Sequence, residues 1–284
     1  MSKKMRRTFL EGTAMILFFI FIIPFILLVI NSFKSKDAIL DNPFSLSGIL
    51  ETGFDNYINL FSDSTINIGS AFLTSVFVTI VGLVLVVLFS SMAAWVLVRS
   101  KKWWSKIIFL MFVGSMVIPF QVIMFPLIST LSSFSKATGI ETLGNVFFLP
   151  IAYLAFQSSL SIFMYHGFIK GIPKELEEAA MIDGCSRFQT FRLIILPILK
   201  PITVTVVLLN GIWLWNDYLL PQMLLLGSDT ITLPIAINRL ASQSYGTNYA
   251  VLLPAAVLTI LPIILLFIKA QKHIIKGMVE GAVK

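Results

Sequence analysis

Hydrophobic positions in this chain neither alternate nor keep to one helical stripe; they run on, and the polar residues collect between the runs. A bilayer core about 30 Å thick takes roughly 20 apolar helical residues. Six stretches qualify, at about 13 to 31, 69 to 98, 107 to 129, 146 to 168, 201 to 222 and 249 to 269. The pattern predicts an all-α integral membrane protein with six transmembrane helices, one domain over residues 1–284. The first stretch follows Lys3, Lys4, Arg6 and Arg7, as a signal peptide would. It is longer than a typical h-region, however, and Asn31-Ser32-Phe33-Lys34 offers no small-x-small cleavage site, so it reads as a span.

Charge supplies the orientation. Of the 21 Lys and Arg residues, all but Lys34, Lys36, Lys136 and Arg239 fall before span 1, between spans 2 and 3, between spans 4 and 5, or after span 6. The positive-inside rule places those four segments, and both termini, in the cytoplasm. Connections 32 to 68, 130 to 145 and 223 to 248 then face outward. Composition agrees, with 57% hydrophobic and 12% charged residues, far from the quarter charged of a soluble domain. Disorder and a disulfide scaffold are excluded on the same ground, since Cys185 is the only cysteine. The formal charge of +7 sits between spans and is no sign of nucleic acid.

A charge in the bilayer centre costs about 2.5 to 3.5 kcal/mol on insertion scales and persists only for a function, and the span centres carry none. Asp217, near the outer end of span 5, and His166, near the inner end of span 4, read as interfacial groups reaching water or headgroups. Two lone histidines, His166 and His273, make no metal site. Uncharged polar residues are more suggestive. Tyr153, Gln157, Ser161 and Tyr165 recur every four positions and form one stripe on span 4, while Asn210, Gly211, Trp213 and Asn216 cluster on span 5. Tyr153, Gln157, Ser161, Asn210, Trp213 and Asn216 are candidate solute-pathway residues, because aromatic faces with amide groups suit hydroxylated rings. Helix packing accounts for the same pattern equally well.

The internal connection 170 to 200 is the most informative segment, and it reads as two short helices. Pro173 opens the first, where a missing N–H costs nothing. Glu175, Glu177 and Glu178 favour the positive end of its dipole, and Gly184 closes it in the left-handed conformation. Ser186 and Gln189 have capping-box spacing for the second, which runs to Pro197. Ala179 and Ala180 beside Leu176 and Met181 make a face that another protein's cleft can approach closely.

Glu178-Ala179-Ala180, three residues, Gly184, nine residues, then Ile194-Ile195-Leu196-Pro197 resembles the EAA signature of importer-type ABC permeases. Ile172-Pro173-Lys174-Glu175-Leu176, Met181-Ile182-Asp183, Trp215-Asn216-Asp217-Tyr218-Leu219-Leu220-Pro221 and Ile231-Thr232-Leu233-Pro234 are similar to the carbohydrate-uptake, MalG-like branch. So are Phe33-Lys34-Ser35, Asn56-Tyr57 and the tail from Gln271. Thr74-Ser75, Trp95 and Cys185 depart from that branch's usual residues.

The resemblance implies a MetI-like ABC permease fold in a bacterial-type inner membrane. It implies a permease subunit of an ATP-driven importer for sugars or related solutes, without a catalytic residue or cofactor of its own. Glu178, Ala179, Ala180, Asp183, Gly184, Leu196 and Pro197 would couple it to the ATPase. The implied partners are a second homologous (MalF-like) permease forming a heterodimer, two cytoplasmic ABC ATPase subunits and an extracytoplasmic solute-binding protein. That last partner would meet Ser242, Gln243, Ser244, Tyr245 and Gly246. A non-sugar solute is an alternative cargo, and an ion-coupled carrier is opposed by the absent intramembrane charges.

Overall fold

The computed structural model describes residues 3–62, 66–242 and 248–282, all of whose regular elements are helices. The chain divides into two compact units, Met1–Gly69 with Ala236–Pro262 and Ser70–Ile235 with Ile263–Lys284.

In the first unit α1 (Lys3–Asn31) carries an apolar stretch of which nothing is buried. Exposure of that kind belongs to a helix whose solvent is lipid. Beyond it the chain folds into α2 (Lys36–Asp41), capped by the Ser35 hydroxyl, then α3 (Ile49–Thr52) and α4 (Asp55–Ser62). Two motifs that are far apart in sequence meet here. The Asn56 amide donates to the carbonyls of Ser32 (3.0 Å) and Lys34 (2.8 Å), and Ser32 shares a 2.7 Å hydrogen bond with the Tyr57 hydroxyl. The two amide bonds satisfy carbonyls of the turn that follows α1.

The second unit is built on α5 (Ile68–Arg99), whose small inward residues include Ser75, Gly82, Ser91 and Ala94. The third apolar run is not one straight helix: α6 (Trp103–Ser115) and α7 (Phe120–Thr138) meet at 108°. Tight turns close the break, with the N–H groups of Met116, Val117 and Ile118 reaching carbonyls three residues back. Pro119 follows with no N–H to continue the ladder. Next come α8 (Phe148–Ile169), α9 (Glu175–Ile182), α10 (Arg187–Thr190), a π-helical turn (Phe191–Ile195) and α11 (Leu196–Ile198). The helical path Arg187–Ile198 bends by 77° into α12 (Lys200–Asn216). The fifth run also breaks, because Asp217 is extended and its carboxylate caps the Leu219 N–H of α13 (Leu219–Leu224). Connection 223 to 248 is not wholly irregular; it holds α14 (Leu233–Ala241), after which α15 (Tyr249–Ala282) forms the last run, and residues Ala236–Pro262 of this stretch belong to the first unit. Among the described residues four helices are long and apolar enough to cross a bilayer, or six if each bent pair makes one span.

Helices α5, α8 and α12 share two apolar clusters. Val86, Ala94, Ile162, Tyr165, Ile195 and Val206 belong to one, and Val78, Leu149, Tyr153, Leu214 and Leu220 to the other. Gly82 sets the approach at the second: a Cβ there would stand 2.7 Å from Leu214 Cδ2 and 3.9 Å from Pro150 Cα. Gly82→Ala asks one leucine methyl to turn aside, whereas Gly82→Val overpacks the crossing. We expect the valine variant to cost about 1–3 kcal/mol, measured as a lowered thermal midpoint of the purified protein, with alanine near wild type.

Candidate functional site

The connection between α8 and α12 has the local chemistry that its sequence dictates. Helix α9 begins at Glu175 with Lys174 as its cap, so Pro173 stands just ahead of the helix and not in its first turn. Its end is a Schellman closure: the Cys185 N–H reaches Ala180 O (2.9 Å), the Gly184 N–H reaches Met181 O (3.1 Å), and Gly184 has φ +87°. Ser186 and Gln189 form both bonds of a capping box.

The seven candidate coupling residues do not share one surface. Glu178, Ala179, Asp183 and Gly184 are exposed, but Ala180 is buried, because adjacent helical residues point about 100° apart. Pro197 is exposed, while Leu196 packs against the first apolar cluster. Ile182 completes the outward face at 86% exposed, a large apolar residue that motif reasoning passes over.

Inward-facing Glu177 was missed as a functional residue. Its carboxylate accepts from Arg99 Nε (2.7 Å) and Trp95 Nε1 (3.0 Å), and Arg99 Nη2 also donates to Ile172 O (2.9 Å). The pair is largely buried, with side chains 15% and 9% exposed. It fastens α9 to the end of α5. The spacing of Glu177 with Ala180 and Met181 on one helical face, opposite a segment ending in Trp95 and Arg99, is the signal that could have found it.

The candidate pathway residues separate in the same way. The Tyr153 hydroxyl donates to Asp217 Oδ2 (2.8 Å), and Asn210 Nδ2 donates to Ser161 Oγ (3.1 Å). Tyr153, Ser161 and Asn210 are fully buried, and these bonds join α8 to the α12–α13 region. Asp217 is thereby held by protein groups and not by water alone, and His166 stacks on Phe109 at 3.7 Å between ring centres. Asn216 is exposed and turns its amide back to Ile212 O (2.8 Å). Gln157 and Trp213 differ: together with Ser115, Phe120, Phe156 and Ser159 they line a cavity of about 500 Å³ at the break between α6 and α7. Trp213 meets Phe120 and Tyr153 edge to face at 5.5 and 5.9 Å. The pocket thus offers aromatic faces, one free-standing amide and serine hydroxyls, a mixture suited to a polyol ring.

On the 223 to 248 connection, Leu233 N–H donates to Ser75 Oγ of α5 at 2.8 Å. Ser242 is exposed just past α14. Gln243, Ser244, Tyr245 and Gly246 lie outside the described residues.

Residues 86–279 match the family described as "Binding-protein-dependent transport system inner membrane component". The chain is 38% identical over 269 residues to the probable starch degradation products transport system permease protein AmyC of Thermoanaerobacterium thermosulfurigenes, covering 95% of this chain and 94% of that one. It is 33% identical to the multiple sugar-binding transport system permease protein MsmG of Streptococcus mutans, over 93% and 92% of the two chains. Its fold is that of a chain in the crystal structure of a bacterial ABC transporter involved in import of the acidic polysaccharide alginate, with a TM-score of 0.79, 19% identity, and 96% and 98% coverage. A chain from a bacterial alginate ABC transporter in complex with a pentasaccharide-bound periplasmic protein matches with a TM-score of 0.65 and 17% identity, over 94% of each chain.

Proposed function

We propose, from the premise that this chain belongs to the family of binding-protein-dependent transport system inner membrane components, that it is the permease subunit of an ATP-driven importer for oligosaccharides or related sugars. It is a transport subunit and not itself an enzyme. The observation that carries the sugar reading is near full-length identity of 38% and 33% to permeases named for starch products and multiple sugars.

In this reading both termini and the 170 to 200 connection face the cytoplasm, where most basic residues lie. A cytoplasmic ATPase receives the outward face of α9, made of Glu178, Ala179, Ile182 and Asp183. A second homologous permease closes the pathway, and a solute-binding protein delivers sugar at the opposite side near residues 242 to 246. Small side chains permit close approach of the ATPase, the two acids supply polar contacts, and Glu177–Arg99 passes its displacement to α5. The test is uptake by reconstituted importer with its binding protein and a panel of radiolabelled sugars. ATP-dependent uptake without a proton gradient is expected, and uptake that follows the gradient and ignores ATP would sink the reading.

Gln157 and Trp213 form this chain's wall of the solute pathway, whereas Tyr153, Ser161 and Asn210 keep the helices in register. Gln157→Ala is therefore expected to change the ratio of uptake among sugars at nearly unchanged thermal stability. Asn210→Ala removes a buried hydrogen bond, costing about 1 kcal/mol or somewhat more, and lowers uptake of every sugar alike. Equal, stability-linked losses in both variants would remove Gln157 from the pathway.

A further inference from the structure

A cavity of about 510 Å³ lies against the Glu177 and Met181 face of α9, about 100° round the helix from its exposed Glu178 and Ile182. Its charged lining is Arg99, Lys102, Arg187 and Glu177. Arg99 is matched by Glu177, and among the described residues neither Lys102 nor Arg187 has a carboxylate within ion-pair distance. The pocket therefore holds two positive charges in excess beside the indoles of Trp95 and Trp104. An anion is what this electrostatic environment selects.

The adjoining surface says what the anion is attached to. A second groove of about 360 Å³, apolar throughout, runs between α5 and α6 along Phe89, Met92, Ile108 and Phe112, and Val96 borders both cavities. Phe89, Met92 and Val96 stand exposed on α5, and from Val96 to Phe89 the helix extends about 10 Å, within the depth of one leaflet. Residues Arg99 to Lys102 mark the point where this apolar face becomes basic. Tryptophan and lysine at such a boundary are interfacial anchors. A cationic pocket opening directly into an apolar groove matches an anionic head joined to a hydrocarbon tail. A free phosphate would leave the groove empty, and an acidic peptide would place polar backbone against it.

We propose that the two cavities together hold one anionic phospholipid, its phosphate between Lys102 and Arg187 and an acyl chain along Phe89, Met92 and Ile108. The headgroup lies against Met181 and beside the Glu177–Arg99 pair, so it props α9 from the membrane side while leaving the outward face open. The residues named for the site all come from this chain, and none of them lines the cavity proposed for the solute.

The test is lipid retention by the purified full-length chain in zwitterionic-lipid nanodiscs, titrated with dioleoyl phosphatidylglycerol or dioleoyl phosphatidylcholine and read by native mass spectrometry. Basic residues near an anionic surface contribute about fivefold each, so wild type, with two, is expected to retain phosphatidylglycerol about twenty-five-fold over phosphatidylcholine. K102Q/R187Q should erase that preference. Val96→Trp, on the lipid-exposed face, should lower phosphatidylglycerol retention by blocking the junction without touching the cations. An undiminished preference in both variants overturns the proposal. So does displacement of the lipid by millimolar inorganic phosphate with no effect of Val96→Trp, which marks a simple anion site. Full lipid preference in K102Q/R187Q together with lost copurification of an ATPase would make the basic patch a protein-docking surface instead.

Discussion

Arg99→Ala is expected to detach α9, the helix proposed to dock the ATPase. The substitution leaves the Glu177 carboxylate buried with only the Trp95 indole as a side-chain partner, and it opens the Ile172 carbonyl as well. Removing one member of a buried ion pair costs about 3–5 kcal/mol, and the residual exposure of this pair places it near the lower end. The stabilised element is α9 and not the whole bundle, so membrane insertion should persist while ATPase copurification and sugar-stimulated hydrolysis are lost. Glu177→Ala should do the same less severely, because Arg99 retains the Ile172 carbonyl. The decisive measurement is the double variant: if the pair acts as a unit, its effect falls well short of the sum of the single effects. Strict additivity, or normal coupling in Arg99→Ala, would show that α9 is held by its apolar contacts alone.

Bulk on the outward face of α9 is expected to have a comparable effect by a different route. Ala179→Trp places an indole where the proposed partner must approach closely, and overpacking of about 2 kcal/mol lowers affinity some thirtyfold. Gly184→Trp adds strain, since φ +87° is unfavourable to an L side chain by roughly 1–2 kcal/mol. Gly184→Asn separates the two causes, because asparagine tolerates the left-handed region. Retained coupling in Gly184→Asn with loss in Gly184→Trp is the expected order. Wild-type ATPase stimulation in both tryptophan variants would move the docking surface elsewhere.

How much of this was legible beforehand depends on the physical scale of each signal. Apolar runs report the solvent around a helix, so α1, α5, α8 and the apolar part of α15 were readable by length alone. The breaks at 116 to 119 and at Asp217 were not, because length and mean hydropathy look the same whether a backbone turns or continues; Pro119 and the polar pair Asn216-Asp217 were the local hints. Cap chemistry acts over a few residues, which is why Gly184 and the Ser186–Gln189 box were found in place. The role of Glu177 depends on Arg99, 78 residues away, and that of Gln157 on a neighbouring helix break. Spacing on one helix could therefore gather the polar stripe of α8 but not divide it. Tyr153 and Ser161 look inward to α12 and α13, and Gln157 looks into the pocket.

Helix α5 has a partner fixed at each end: near its start, Ser75 Oγ holds the Leu233 N–H, and at its finish Arg99 holds Glu177. These attachment points are separated by about 36 Å of continuous helix. Such a rod is a lever arm, and a tilt of only about 5° at one attachment carries the other through about 3 Å, the length of a hydrogen bond.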